Sequence, residues 1–200
     1  RNWLKQQAGN VIIKTNWKGE VVQTLMLKAD KYPRYFFVDE INEQYVVVTK
    51  GDNTINDMFS KDTLSISLYD YSGNQVWDKQ FLLNGNFGDV VFTNSNLLVT
   101  CNFNQFSDLS GKNFSLKSDH QNQPNALSIY IKRDGTLKSI CQYTFPEGFA
   151  VDISRKINSN LINLFGKVKT SNEPLYLLID SEGIPVFSSN QTLKFNIAEM

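Results

Sequence analysis

The one histidine of this chain is the first residue to consider for catalysis. His120 follows Asp119 in a polar stretch, and a carboxylate beside an imidazole can orient the ring for general base chemistry. A nucleophile would have to come from another loop, and the sequence indicates none. We therefore predict that His120 is a solvated loop residue.

Oxygen-bearing side chains and the histidine with the cysteines are two candidates for metal binding. The oxygen-bearing group could bind calcium, but its spacing departs from that of the calcium-binding loop, in which Asp or Asn alternates with other residues before a Gly. One histidine and two cysteines cannot form a Cys/His zinc cluster. We predict no catalytic residue, no metal and no cofactor. The oxygen-bearing residues considered for calcium are Asp52, Asn53, Asn56 and Asp57.

Charge and hydropathy exclude two classes of partner. The 20 Lys and Arg residues balance 20 Asp and Glu residues, whereas nucleic acids and anionic membranes are bound by surfaces with a positive excess. The longest apolar runs have four or five residues, far fewer than the ~18 to 20 that span a bilayer as a helix. We predict neither nucleic-acid binding nor direct membrane insertion.

The elements that position these residues are predicted to be β-strands. Asn occurs 22 times and aromatic residues make up 12% of the chain, which is typical of short strands joined by turns. No window of a dozen residues repeats apolar side chains at the helical period. The predicted fold class is all-β.

One hairpin pattern occurs four times. Each copy has an alternating apolar run, a polar turn that ends in glycine, and a second apolar strand. The glycines lie 54, 62 and 48 residues apart, and each is predicted to adopt a positive φ, which glycine does at little cost. They are Gly19, Gly73, Gly135 and Gly183.

Two more strands separate successive hairpins, so each repeat has four strands, which is typical of a β-propeller blade. About four such blades could form a closed ring or a fragment of a larger propeller. A β-sandwich or β-solenoid is the alternative. We predict one propeller domain over 1–200, with a partial blade at 1–30, blades at 31–83, 84–145 and 146–189, and a closing strand at 190–200.

The segment from Asp70 to Trp77, Asp-Tyr-Ser-Gly-Asn-Gln-Val-Trp, resembles the blade motif of quinoprotein-like propellers. It is also similar to repeats of bacterial secreted and cell-envelope proteins, some of them associated with type IX secretion. In those families the tryptophan docks one blade against the next, and the resemblance implies this role for Trp77 and Phe187. Gln23 and Ser139 occupy the equivalent position, four residues after the turn glycine, in the other two copies.

Apolar side chains in the long loops after the second strands predict a protein-binding face, because they are larger than a solvated connection requires. The alternative is that each loop folds onto its own blade as a small core. The predicted contacts are Met58, Phe59, Phe106 and Phe114, with Trp17 on the opposite face.

The two cysteines are predicted to be free. Cys101 falls on the second strand of a blade and Cys141 on the fourth, so the third strand lies between them. That places their backbones ~9.5 Å apart, whereas a disulfide needs Cα atoms within ~7 Å.

The predicted function is a noncatalytic propeller subunit that binds another protein, as a component of a bacterial envelope or secretion assembly. The chain begins at Arg1 without methionine, as a processed exported protein or a segment trimmed from a longer protein would. Together with the family resemblance, this start predicts export to the periplasm or cell surface. The alternative is a carbohydrate-active or other enzymatic propeller with channel-lining carboxylates such as Asp89 and Asp152, because glycosidases need two facing carboxylates.

Overall fold

The computed structural model describes residues 11–26, 35–50, 63–94, 96–109, 113–117, 125–190 and 192–199. All the regular structure in these segments is β-strand, which confirms the predicted all-β class. They contain no helix long and apolar enough to span a bilayer. The chain divides into two compact units, residues 1–50 with 65–79, and residues 51–64 with 80–200.

The first unit contains a two-stranded hairpin and a set of neighbouring antiparallel strands. In the latter, Tyr45 and Val47 of one strand pack with Tyr69 of the next in a small buried cluster. Its strands are β1 (Val11–Thr15), β2 (Val21–Met26), β3 (Tyr35–Asp39), β4 (Gln44–Lys50) and β5 (Thr63–Asp70), and β6 (Gln75–Phe92) begins in this unit and continues into the second.

The second unit contains two antiparallel sheets. Sheet I has the strand order β15–β10–β9–β7–β6, with β8 paired to β7, and sheet II has the order β11–β12–β13–β14. The remaining strands are β7 (Asn96–Asp108), β8 (Ser115–Lys117), β9 (Asn125–Lys132), β10 (Leu137–Thr144), β11 (Phe149–Lys156), β12 (Leu161–Val168), β13 (Pro174–Asp180), β14 (Pro185–Ser188) and β15 (Lys194–Glu199).

A hydrophobic core of the second unit lies where sheet I meets sheet II. Tyr130 and Tyr143 of sheet I pack in one cluster with Phe149, Leu164 and Leu177 of sheet II. Along β12 and β13 the buried side chains alternate with more exposed ones, as the strand period of two requires, whereas β9 and β10 of sheet I are buried on both faces. Sheet II falls within the stretch 146–189 and has four antiparallel strands in sequence order.

One predicted boundary and one predicted strand pairing differ in the structure. The blade boundary between 83 and 84 falls inside β6, which pairs continuously with β7 from Phe81 to Phe92, apart from bulges after Asn84 and after Phe87. The strand predicted to close a ring pairs with β10 instead, with Phe195 stacked on Tyr143 at 5.9 Å. No closed ring of sheets forms among the described residues.

The predicted turn geometry is confirmed at all four repeated glycines, whose φ values lie between +83° and +89°. Each glycine ends a turn that joins two antiparallel strands. The positive φ is required by the turn itself and depends only on neighbouring residues, which is why the sequence pattern identified these four positions.

The prediction of free cysteines is also confirmed, and both thiols are buried. Strand β9 lies between them, with Leu127 opposite Cys101 and Ser128 opposite Cys141. Burial raises the pKa of Cys141 to about 12.

We expect neither thiol to react with a disulfide reagent in the native protein, because a buried, protonated thiol is a poor nucleophile. After denaturation without reductant, both should react, and a colorimetric thiol assay would count them. A disulfide-linked peptide containing Cys101 and Cys141 would contradict the strand order.

Candidate functional site

Sheet II has one buried face and one exposed face. Ile153, Phe165 and Tyr176 lie directly opposite one another on three neighbouring strands. Phe187 on β14 lies opposite Leu178, which is two residues beyond Tyr176. Paired residues, and residues two apart on a strand, share a face of a sheet. These five side chains therefore form one row across the sheet, which we call the outer strip.

The outer strip is large and open to solvent. Ile153 is 54% exposed, Tyr176 45% and Phe187 58%, while Phe165 and Leu178 are half-buried. The rings of Phe165 and Tyr176 lie 4.9 Å apart and support each other. A contiguous apolar row of this kind typically marks an interaction surface, so the strip could receive another sheet or strand.

Polar side chains of sheet I fix the position of sheet II from the opposite side. Asn102 donates from Nδ2 to the Val151 carbonyl at 3.0 Å and accepts the Val151 N–H at 2.7 Å. The hydroxyls of Thr100 and Ser154 hydrogen-bond at 2.8 Å. Because the backbone of β11 is held by these side chains, the face that carries the outer strip has a fixed orientation.

The turn between β13 and β14 is held on sheet I as well. Tyr143 donates its hydroxyl hydrogen to the Gly183 carbonyl at 2.9 Å, so the contact with Ser128 at 2.8 Å must use the Ser128 hydrogen. Burial raises the pKa of Tyr143, which keeps this donor protonated. The contact fixes the start of β14, the edge strand of sheet II that carries Phe187.

The carboxylates considered for catalysis are placed differently from a facing pair. Asp89 accepts the backbone N–H of Val90 at 2.8 Å and of Ser154 at 3.2 Å. Burial raises its pKa, and these hydrogen bonds partly oppose the rise. Asp152 is exposed on β11. Asp89 therefore joins β6 to β11, as a structural residue would.

The described part of the chain has no group of three or more His, Cys, Asp or Glu side chains placed to hold a metal ion. His120, Asp119 and the stretch 52–57 lie outside the described residues.

No family model matches this chain, and no curated protein or solved structure matches it either. Its function must therefore be inferred from its own contacts and surfaces.

The expected exposure of Phe106 is wrong. Phe106 belongs to β7, which continues to Asp108, and it is fully buried. Its ring lies 5.3 Å from that of Phe81 and 5.5 Å from that of Phe114, which is half-buried. Strand β8 returns along β7 and pairs Leu116 with Phe106. The loop thus forms a small core on its own strands, which was the stated alternative.

The other predicted contact residues have separate positions. Trp17 is 90% exposed in the β1–β2 turn, with the Lys18 ammonium 5.3 Å from its ring. Met58 and Phe59 lie outside the described residues. The partner-binding role of Trp17 stays a prediction.

The two residues predicted to dock blades, Trp77 and Phe187, differ in their exposure to solvent. Trp77 is buried. Phe187 is exposed because β14 is the outermost strand of sheet II, so the docking role predicted for it is not seen within the described residues. Phe187 instead belongs to the outer strip.

Sequence reasoning missed the other four residues of the outer strip. A signal for two of them, Tyr176 and Leu178, exists in Leu175–Ile179, which is apolar at every position rather than at alternate positions. Such a continuous run is typical of a strand that is covered on both faces.

Proposed function

We propose that this protein is a noncatalytic binding module built from β-propeller-type repeats, and that the outer strip docks against another protein. The observation that carries the proposal is the exposed apolar row from Ile153 to Phe187. Burying the exposed half of each of Tyr176 and Phe187 would contribute roughly 1 kcal/mol from area alone, and aromatic side chains at the centre of an interface often contribute more.

Support for the propeller-type repeat comes from the contact between the two sheets of the second unit. Sheet II has four antiparallel strands in sequence order, and one of its faces packs on sheet I. A propeller repeats this face-to-face contact from blade to blade. The outer strip is the equivalent face of sheet II, so it would receive the next sheet or a partner of similar apolar character.

The envelope setting, and export to the periplasm or cell surface, belong to this proposal as well. Their support is the resemblance of the segment from Asp70 to Trp77 to repeats of secreted and cell-envelope propellers. The enzymatic alternative is weaker, because the Asp89 carboxylate accepts backbone N–H groups and joins two strands.

Replacing Tyr176 and Phe187 together with serine should weaken partner binding about 100-fold or more, because both side chains leave the interface. The midpoint of thermal unfolding should fall only slightly, since both side chains are about half exposed and Tyr176 loses mainly its contact with the Phe165 ring. Affinity purification from native cells, followed by titration of the recovered partner, would measure binding, and calorimetry would measure the midpoint.

The matched control is Ile157→Ser, which removes an exposed apolar side chain just beyond β11, outside the strip. It should bind like the wild type. Recovery of the wild-type protein alone, or equal binding by the double variant, would refute the proposed docking surface.

A further inference from the structure

The four repeated hairpins have the same turn, so their strands can be aligned by counting back from the turn glycine. In each turn, one residue donates its N–H to the carbonyl four positions later and accepts the N–H of the glycine three positions later. Residues four, six and eight positions before the glycine share one face of the strand, which we call the even face. Residues five and seven positions before it share the other face, the odd face. The aligned turn residues are Asn16, Asp70, Lys132 and Asp180.

In the second unit, the odd face of one repeat packs on the even face of the next. Tyr130 lies five positions before Gly135, on the odd face of β9, and it belongs to the core between sheet I and sheet II. The same core contains the even face of β13, formed by Leu175, Leu177 and Ile179. The contact between the two sheets therefore has a direction along the series of repeats.

The first unit contains a contact with the same direction. Lys14 lies on the odd face of β1, and Gln23 lies opposite it on β2. The Lys14 ammonium is 3.9 Å from the centre of the Tyr71 ring. The Tyr45 hydroxyl donates to Gln23 Oε1 at 3.1 Å, and Tyr45 packs with Tyr69 on the even face of β5. Two separate contacts thus place the odd face of a repeat on the even face of its successor.

This order leaves one apolar face open at each end of the series. The even face of β1, the first strand described, carries Val11 and Ile13, and Ile13 is 57% exposed. At the other end, the odd face of β13 carries Tyr176 and Leu178, which belong to the outer strip. The outer strip lacks an even face to pack on, and the even face of β1 lacks an odd face.

A second copy of this chain supplies both of the missing faces. The contacts within each unit provide the precedent for the fit, because they join the same two kinds of face. The formal net charge of the chain is zero, so two copies do not repel each other, and proteins without net charge associate more readily. Both open faces are apolar, so their contact removes apolar surface from water on each side.

We propose that copies of this chain associate head to tail, with the outer strip of one copy on the even face of the β1–β2 hairpin of the next. This inference rests on the proposed function, because it uses the outer strip as a docking surface. The contact joins two different surfaces and is therefore heterologous. In an open series of copies it leaves one outer strip free at the end, where the partner protein binds.

Sedimentation equilibrium of the purified protein tests the proposal. The average mass of the wild type should rise above that of the monomer between about 5 and 200 μM, as expected for a small interface with a micromolar dissociation constant. Ile13→Lys should weaken association at least ~30-fold, because it places a charge without a partner in an apolar contact. The double replacement of Tyr176 and Phe187 with serine should also leave the protein monomeric.

The matched control is Ile157→Lys, which makes the same substitution at a position that is also 57% exposed. Ile157 lies just beyond β11, outside both faces. This variant should associate like the wild type. Circular dichroism should give both lysine variants nearly the wild-type melting temperature, because both positions are exposed.

A mixture of two monomeric variants separates this contact from a symmetric one. The Ile13→Lys protein keeps its outer strip, and the serine double variant keeps its even face, so the mixture should form a species of twice the monomer mass. A mixture that stays monomeric would overturn the proposal, as would association of Ile13→Lys with wild-type strength. A monomeric wild type would overturn it too, but would leave standing the docking of another protein on the outer strip, which purification from native cells measures.

Discussion

Replacing Gly183 with alanine is expected to lower the free energy of unfolding by about 2 to 4 kcal/mol. Gly183 has a φ of +89°, where a side chain adds about 1 kcal/mol of backbone strain. An added Cβ would also lie 2.5 Å from Cys141 Sγ and 2.8 Å from the Tyr130 ring. Both neighbours are fully buried, so relieving the clash adds the ~1 to 3 kcal/mol typical of overpacking.

The matched control is Gly19→Ala. Gly19 has a similar φ of +83°, but an added Cβ would have no heavy atom within 4 Å. This variant should therefore lose only the ~1 kcal/mol of backbone strain. Urea denaturation followed by circular dichroism would measure both losses. Equal losses would show that the β13–β14 turn does not pack on sheet I as described.

Replacing Asn102 with alanine is expected to lower the free energy of unfolding by about 2 to 4 kcal/mol. The change removes both hydrogen bonds to Val151 and leaves a buried N–H and a buried carbonyl without partners. Each unsatisfied buried group costs ~1 to 3 kcal/mol. Denaturant unfolding would measure the loss.

Asn84→Ala is the control for this prediction, because Asn84 is exposed on β6 of the same sheet. Its replacement should change the free energy by no more than ~0.5 kcal/mol. If the two alanine variants were equally stable, the Asn102 contact would contribute nothing to holding sheet II.

The sequence predicted the local features of the fold better than the strand partners. The four turn glycines and the alternating strands depend on neighbouring residues only, and both were found where expected. The alternation in Leu193–Ile197 indicates a strand with two faces, but it does not specify which edge the strand joins. Tyr143 determines that edge, because Phe195 stacks on its ring, and this contact cannot be read from spacing alone.

The candidate surfaces also depend on tertiary contacts that the sequence pattern does not specify. The size of Phe106 suggested a binding residue, yet exposure depends on what covers a side chain, and β8 and Phe81 cover this one. The outer strip depends on the register of four strands, which aligns Phe165 with Tyr176.

The pairing of β15 with β10 has a consequence for folding. Thr144 pairs with Lys194 across a span of 50 residues, and all of sheet II lies in that interval. Sheet II is therefore an insertion between two adjacent strands of sheet I. Such distant pairing raises contact order and slows folding. A fragment limited to either sheet should fail to fold alone, and the two should unfold in one cooperative step.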